Sequence, residues 1–351
     1  MAGLTSHFFR TGLSALWFSG AAHALSGWTA GKGALLMLHR VQPDRREPFA
    51  PNAALSITPE YLAALLASFR AAALDIVSLD EALRRLAAPG PTRRFVCFTF
   101  DDGYRDNLEH ALPVFERYGA PFTVYATTSF LERSFAPWWC ALEYVIARDR
   151  KVRWVQDGSE SVHDTADLAG KHAAFAALSH AFFQLPVAEV KRHLQRLTEE
   201  HGLSVRELAE RDICSWDELK TLRARGATIG CHTVSHALLL RETPQTVRQE
   251  LVEAQQKLES ELGCAVRHLA YPYGKRDHVG AREFALAREL GFASAVTTRK
   301  GALFAEHAGH VHALPRVEVT PSFAGSPRYM QAILSGLPLL LWNRGRFAVT
   351  D

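Results

Sequence analysis

Three short stretches of this chain carry residues able to do hydrolytic chemistry. "FTFDDGYRDN" sets Asp101 and Asp102 side by side directly after an apolar run. Adjacent carboxylates repel. The pair is tolerable where one acid binds a cation and the other stays free as a base, its pKa set by that cation. Gly103 permits a tight exit from the strand. A helix N-cap with a spare acid explains the same letters, and the motif alone does not choose. "HTVSH" puts His232 and His236 four apart, so on a helical turn they face the same way and can share one metal. The zincin pattern HExxH needs Glu where this chain has Thr233, so a base must come from elsewhere, and Asp101 is available. Taken alone, HxxxH is equally two unrelated surface histidines. Two histidines and one carboxylate, each at a strand end, make an open zinc set with room for a water. The third stretch, "YPYG", residues 271–274, is a loop stiffened by Pro272 and Gly274. A backbone N–H in it, for instance that of Tyr273, can point at a developing oxyanion. Its rings suit the flat face of a sugar, although most such tripeptides are simple turns.

These stretches share a context. "GALLMLHRV" (33–41) reads as a buried strand carrying His39 near its end, and "RFVCFTF" and "PFTVYAT" read as further buried strands. Helical patterns alternate with them. Thr58 and Pro59 open "TPEYLAALLASFRAA", and Ser78 with Glu81, then Ser215 with Glu218, spell capping boxes. Later come "ATIGC" leading to His232, a long amphipathic helix in "PQTVRQELVEAQQKLESELG", the strand and loop of "VRHLAYPYG", a helix in "AREFALARELG" and the strand "FASAVTT". Repeated β-then-α units predict a parallel sheet or a β/α barrel, whose chemistry sits at the carboxyl ends of its strands. Residues 131–212 drop that rhythm and read as a largely helical insertion. The expected organisation is a helical segment over 1–32, a catalytic domain over 33–325 with the insertion at about 131–212, and a C-terminal helix or tail over 326–351.

Composition narrows the field. Of 351 residues, 48% are hydrophobic and 22% charged, which supports a sizeable core and argues against disorder. A net charge of +3 with scattered arginines gives no case for nucleic acid. Five well-separated cysteines without a CxxC pair argue against a disulfide framework and favour a reducing compartment. "GLSALWFSGAAHALSGWTA" is apolar, and its "AHA" resembles a signal-peptidase site. Few positive charges precede it, however, and Gly and His interrupt it, so a packed or membrane-surface helix is the preferred reading. "LSGLPLLLWNRGR" could touch a membrane surface, but a terminal core helix is the expectation. The resulting expectation is a cytoplasmic or inner-membrane-associated protein, with secretion or a periplasmic home as the alternative.

The three motifs, in this order and in the longer runs "SWDELKTLRARGATIGCHTVSH" and "LESELGCAVRHLAYPYG", resemble the polysaccharide deacetylase family, the NodB-homology or carbohydrate esterase 4 group. The resemblance covers roughly 33–130 and 213–320. It implies a distorted, incomplete (β/α) barrel and a metal-dependent hydrolase acting on N-acetyl, and in some members O-acetyl, groups of carbohydrates. It implies Asp101 as general base, Asp102, His232 and His236 as ligands of one divalent ion, and the Tyr273 N–H as oxyanion donor. Zinc is the first choice of ion, with cobalt or nickel as alternatives. The chain departs from the family in two places. The leaving-group histidine of a late Leu-x-His strand has no clear copy; His39 in "LMLHRV" is preferred as the acid, then His312 in "HAGHVHALPRVEV". The arginine that orients the base ahead of the Pro-Tyr loop is also missing, and Arg316 in "LPRV" is the substitute. The expected partner is an acetylated, bacterial exopolysaccharide-like carbohydrate, and the competing readings are a glycan-binding or scaffold protein with a weakened site, or an O-deacetylase or other C–N hydrolase.

Overall fold

Each barrel strand of this protein is buried on both faces, which is why the strands appear in sequence as unbroken apolar runs. A computed structural model describes residues 2–44, 47–156 and 158–350, with side chains from residue 10 onward. Seven strands make the barrel: β1 Gly33–Leu38, β2 Phe95–Phe100, β3 Phe122–Ala126, β4 Thr228–Cys231, β5 His268–Ala270, β6 Ser294–Lys300 and β7 Leu314–Glu318. All are parallel and lie in sequence order. The ring closes because β1 pairs with both β2 and β7. Gly33 opposite Phe95 starts the β1–β2 ladder, and a Cβ on Gly33 would fall 2.5 Å from the Phe95 carbonyl oxygen. Only a glycine permits that approach. The two-residue strand Asp75–Ile76 adds beside the start of β2, outside the ring. The barrel is incomplete in having seven ring strands instead of eight.

Alternation along β2 sorts its side chains. Phe95 and Cys97 join Leu35, Tyr125, Val296 and Leu314 in one buried cluster. Phe98 and Phe100 point outward and pack edge-on against Phe115. The helices outside are set by their caps. Thr58 accepts from the Tyr61 N–H to start Pro59–Ala71, and Ser215 with Glu218 forms a complete capping box on Trp216–Ala224. At Ser78 only half of the expected box forms, because the Glu81 carboxylate is engaged by Arg84 and Arg85. All five cysteines are thiols.

Two expectations need correction, and a third, the largely helical insertion, gains a strand pair. The strand expected over 33–41 stops at Leu38; Arg40–Val41 pairs instead with Ser56–Ile57, leaving His39 at the elbow. The insertion is not only helical. An antiparallel hairpin, Lys151–Gln156 with Ser159–Asp164, sits between helix Trp138–Arg148 and helices Leu168–Gln184, Val187–Glu200 and Val205–Asp212. Val152 and Trp154 point into the core while Lys151 and Arg153 face water, the period-two pattern of a half-buried strand. Lastly, the C-terminal run is not a single core helix. Gly336, with φ 86°, breaks it into Arg328–Leu334 and Leu337–Trp342, and Leu341 and Trp342 end up exposed.

Candidate active site

Strand ends assemble the site. β2 stops one residue before Asp101, β4 one residue before His232, and β5 one residue before the loop Tyr271–Gly274. All three motifs therefore meet at the carboxyl rim of the barrel, the position expected from parallel β/α architecture.

The backbone there is unusual. Seven non-glycine residues among those described have positive φ, and four of them are Asp102 (75°), Thr233 (66°), His236 (54°) and Tyr273 (59°). Left-handed backbone at such residues costs on the order of 1–3 kcal/mol each and persists where the surroundings over-determine it. Those surroundings are visible. The His236 N–H donates to Thr233 Oγ1 at 3.0 Å. Buried Glu250 accepts from the Ser235 N–H at 2.8 Å and from Ser235 Oγ at 2.5 Å. Thr298 Oγ1 donates to the Tyr273 carbonyl at 2.5 Å.

Asp102, His232 and His236 form a buried trio whose nearest ligand atoms all lie within 4.8 Å of one another. Asp102 Oδ1 is 3.4 Å from His232 Nε2 and 3.3 Å from His236 Nε2. The residues fit a cation. Bonds of about 2.0–2.1 Å in a tetrahedral arrangement separate neighbouring ligand atoms by roughly 3.3–3.4 Å. Asp102 Oδ1 is also a buried carboxylate oxygen with no hydrogen-bond partner among the described residues. His232 Nδ1 donates to the Ala270 carbonyl at 2.7 Å, which leaves Nε2 unprotonated to face the trio. One position of a tetrahedral set is left over for water.

Electrostatics separate the two acids from their neighbours. Burial alone would raise the Asp101 carboxyl, but the charge and hydrogen bonds of Arg316, then His232 and His39, more than reverse this and hold it below the ordinary range. For Asp102, burial is likewise outweighed, by the facing imidazoles of His232 and His236 and then by His39, and its carboxyl lies well below the ordinary range. Burial also works against charge on the histidines. At His232 the two aspartates overcome it and the imidazole is raised; at His236 burial prevails and the imidazole is lowered.

Arg316 is completely buried and grips both Asp101 oxygens, Nη1 to Oδ1 and Nη2 to Oδ2, each at 2.7 Å. Its Nε donates to the Thr297 carbonyl and its Nη1 also to Thr99 Oγ1. His39 is half-buried beside this group, with its carbonyl accepting from Asn107 Nδ2 at 3.0 Å. It is close enough to draw down both aspartates. His312 is not brought to the rim: its Nε2 donates to the Phe292 carbonyl at 2.7 Å.

Several site residues escaped the sequence reading. Trp138 and Trp139, the first residues of the insertion's opening helix, reach back to the rim. Trp138 Nε1 donates to Tyr273 Oη at 3.1 Å, and Trp139 Nε1 donates to Tyr104 Oη at 2.8 Å. The Trp139 and Tyr273 rings flank His236 at 5.0 and 4.6 Å. With Phe130, Phe182 and Phe183 they wall a small cavity against His236. Arg40, next to His39, ties Asp106 at 2.7 Å and Asp212 at 3.2 Å and lies over the Tyr104 ring. The signal for the tryptophans was in view, since a Trp pair after Pro137 is a large apolar payload at a helix start. Glu250 carried no such signal, because it is one of several acids along an amphipathic helix.

A family model described as polysaccharide deacetylase matches residues 88–295. The chain is 22% identical over 236 residues to YxkH of Bacillus subtilis (strain 168), a protein named as a polysaccharide deacetylase. The match covers 67% of this chain and 55% of that one. The chain thus spans little more than half the length of that curated relative. Among solved structures, it is similar to Streptococcus pyogenes deacetylase PplD in complex with acetate, with 19% identity, a TM-score of 0.55, and 85% and 95% of the two chains covered. It is also similar to IcaB from Ammonifex degensii, with 20% identity, a TM-score of 0.54, and 87% and 97% covered. At these identities the likeness is one of fold.

Proposed function

Since this chain belongs to the polysaccharide deacetylase family, we propose that it hydrolyses acetyl groups from the amino-sugar nitrogens of a carbohydrate with the help of one divalent cation. The observation that carries this reading is the unpartnered Asp102 Oδ1, buried at cation-sharing distance from two imidazole nitrogens and next to an Arg316-bound second acid.

Asp102, His232 and His236 would hold the cation, zinc first and cobalt or nickel next, which when bound acidifies a water and polarises the acyl carbonyl. Asp101, kept ionised by Arg316, takes the proton of the attacking water. The Tyr273 N–H, fixed by the left-handed turn at that residue, donates to the oxygen as negative charge develops; one such donor is worth about 10²–10³ in rate. His39 gives a proton to the departing amine. Trp138, Trp139 and Tyr273 keep bulk water off the face of His236 and offer aromatic surface to a sugar ring or acyl methyl.

Metal analysis of the purified chain, paired with acetate release from chitooligosaccharides before and after chelation, tests the reading. About one divalent ion per chain is expected, with release abolished by chelation and restored by added zinc or cobalt. A chain that binds no divalent ion overturns the ligand set. A loaded chain inert on chitooligosaccharides but active on acetylated xylan is an O-deacetylase. One inert on both, yet retaining glycan, is a binding protein.

The acid has its own test. His39→Ala is expected to lower kcat on an N-acetyl substrate by about 10²–10⁴, while an aryl acetate, whose leaving group needs no proton, loses far less. A drop within threefold on the amide would transfer the role to water.

A further inference from the structure

Nine large apolar side chains are exposed among the described residues, and six of them come from the two ends of the chain: Trp17, Phe18, Trp28, Leu341, Trp342 and Phe347. Trp28 is 81% and Trp342 63% exposed, whereas Trp138, Trp139 and Trp154 are 4%, 8% and 8% exposed. A tryptophan left in water is costly surface, and several together mark a contact.

The two ends form one unit. Helix Ala2–Phe18 packs on helix Arg328–Leu334, and helix Ala21–Thr29 on helix Leu337–Trp342. Thr29 Oγ1 donates to the Ser335 carbonyl at 2.5 Å, and a Cβ on Gly336 would fall 1.8 Å from the Thr29 carbonyl oxygen. Arg328 lies over the Phe18 ring at 5.2 Å and Lys300 over the Trp342 ring at 4.3 Å. This unit attaches mostly where strands begin, with one further contact at the end of β6, where Asn343 Nδ2 donates to the Lys300 carbonyl at 2.9 Å. Lys32, just ahead of β1, caps the carbonyls of Leu86 and Ala88, and Arg94, just ahead of β2, donates to the Leu334 carbonyl. Asp101, His232 and Tyr273 lie past the opposite ends of the strands.

Its charge is one-sided. Residues 1–32 contain Arg10 and Lys32 and no Asp or Glu, and residues 319–351 contain Arg328, Arg344 and Arg346 against one acid, Asp351. Taking those five from the 40 Lys and Arg, and Asp351 from the 37 acids, leaves 35 against 36, so the chain's net +3 resides entirely in its ends. Exposed tryptophans beside arginines, on chain ends nearly free of acids, match the interface of an anionic bilayer. A second copy fits poorly, because a two-fold contact would set this cationic surface against itself. No helix among the described residues is long and apolar enough to cross a membrane.

We propose that the terminal helical unit docks the protein on an anionic lipid surface, with Trp28 and Trp342 at headgroup depth and the rim bearing Asp101 turned to the water. The docked protein then meets carbohydrate from the aqueous side.

Co-sedimentation of the full chain with vesicles tests this. The chain is expected to pellet with vesicles of equal phosphatidylcholine and phosphatidylglycerol, to stay in solution with phosphatidylcholine alone, and to be released by salt. Arg344→Glu is expected to lower partitioning about 30-fold, the effect of two charge units at such a surface. Trp28→Ser with Trp342→Ser is expected to lower it about tenfold or more. Neither variant changes acetate release from a water-soluble substrate. Equal partitioning onto both vesicle types, or none onto either, overturns the proposal. So does a dimer on sizing that the double tryptophan variant dissolves, which would make a second copy the occupant of this face.

Discussion

Asp101→Asn keeps its divalent ion and loses kcat by about 10²–10⁴, the usual worth of a positioned general base. The change is nearly isosteric and leaves Asp102, His232 and His236 untouched, so the ion count per chain stays as in the parent. What disappears is a carboxylate able to take a proton. The expectation is sharp because Asp102→Ala does the reverse, stripping the ion and the turnover together. Elemental analysis and acetate release on the same two samples separate the roles. If Asp101→Asn retained turnover within a few-fold, the water would be losing its proton to another group, and the assignment of the base would fail.

Arg316→Met is expected to be the most destabilising change at the rim, by about 3–5 kcal/mol, because it leaves a buried carboxylate without its cation. The parent pair is sealed, at 0% and 3% side-chain exposure. The sign with pH follows from the shift. Arg316 holds the folded Asp101 carboxyl below its ordinary value, so the pair stabilises the fold above the unfolded-state pKa and loses that contribution as pH falls through the folded value. Without Arg316, burial dominates and the Asp101 pKa moves up. The variant's stability deficit is then largest near neutrality and shrinks in acid, and the acid limb of its kcat/KM profile moves to higher pH. Melting temperature against pH, read beside that profile, checks both. Combining Arg316→Met with Asp101→Asn recovers much of the stability and none of the activity. An Arg316→Met protein that melts like the parent at all pH values would mean that the pair does not support the fold.

The strands and the three motifs were legible in the sequence because burial on both faces writes β2 and β3 as continuous apolar runs and leaves the first polar letters at the rim. Asp101, Asp102 and His232 are such letters. Arg316 was expected beside Asp101 only because the family resemblance calls for a base-orienting arginine; no local signal carries its bidentate grip, since its partner lies 215 residues away. The largely helical insertion was legible but its hairpin was not, although Lys151–Gln156 alternates, because its second strand, Ser159–Asp164, is almost wholly exposed and shows no apolar stripe. The left-handed residues were invisible: Asp102, Thr233, His236 and Tyr273 are not glycines, and only their neighbours' hydrogen bonds force that geometry. The C-terminal run failed for a related reason. Six apolar letters resemble core until the break at Gly336 leaves two of them, Leu341 and Trp342, facing outward.

The link between Asp101 and Arg316 also dictates when the rim is complete. β2 carries the acid pair early in the sequence, while the arginine arrives on β7, the strand that also closes the ring against β1. Contacts of such long sequence separation form late, after loop closure has been achieved. A growing or half-folded chain therefore holds two adjacent acids without the cationic side chain that aims one of them. A chain truncated ahead of β7 lacks both the ring closure and Arg316, and it is expected to release no acetate. The two halves of the site, supplied as separate polypeptides, would be silent apart and report their own reassembly by the return of acetate release.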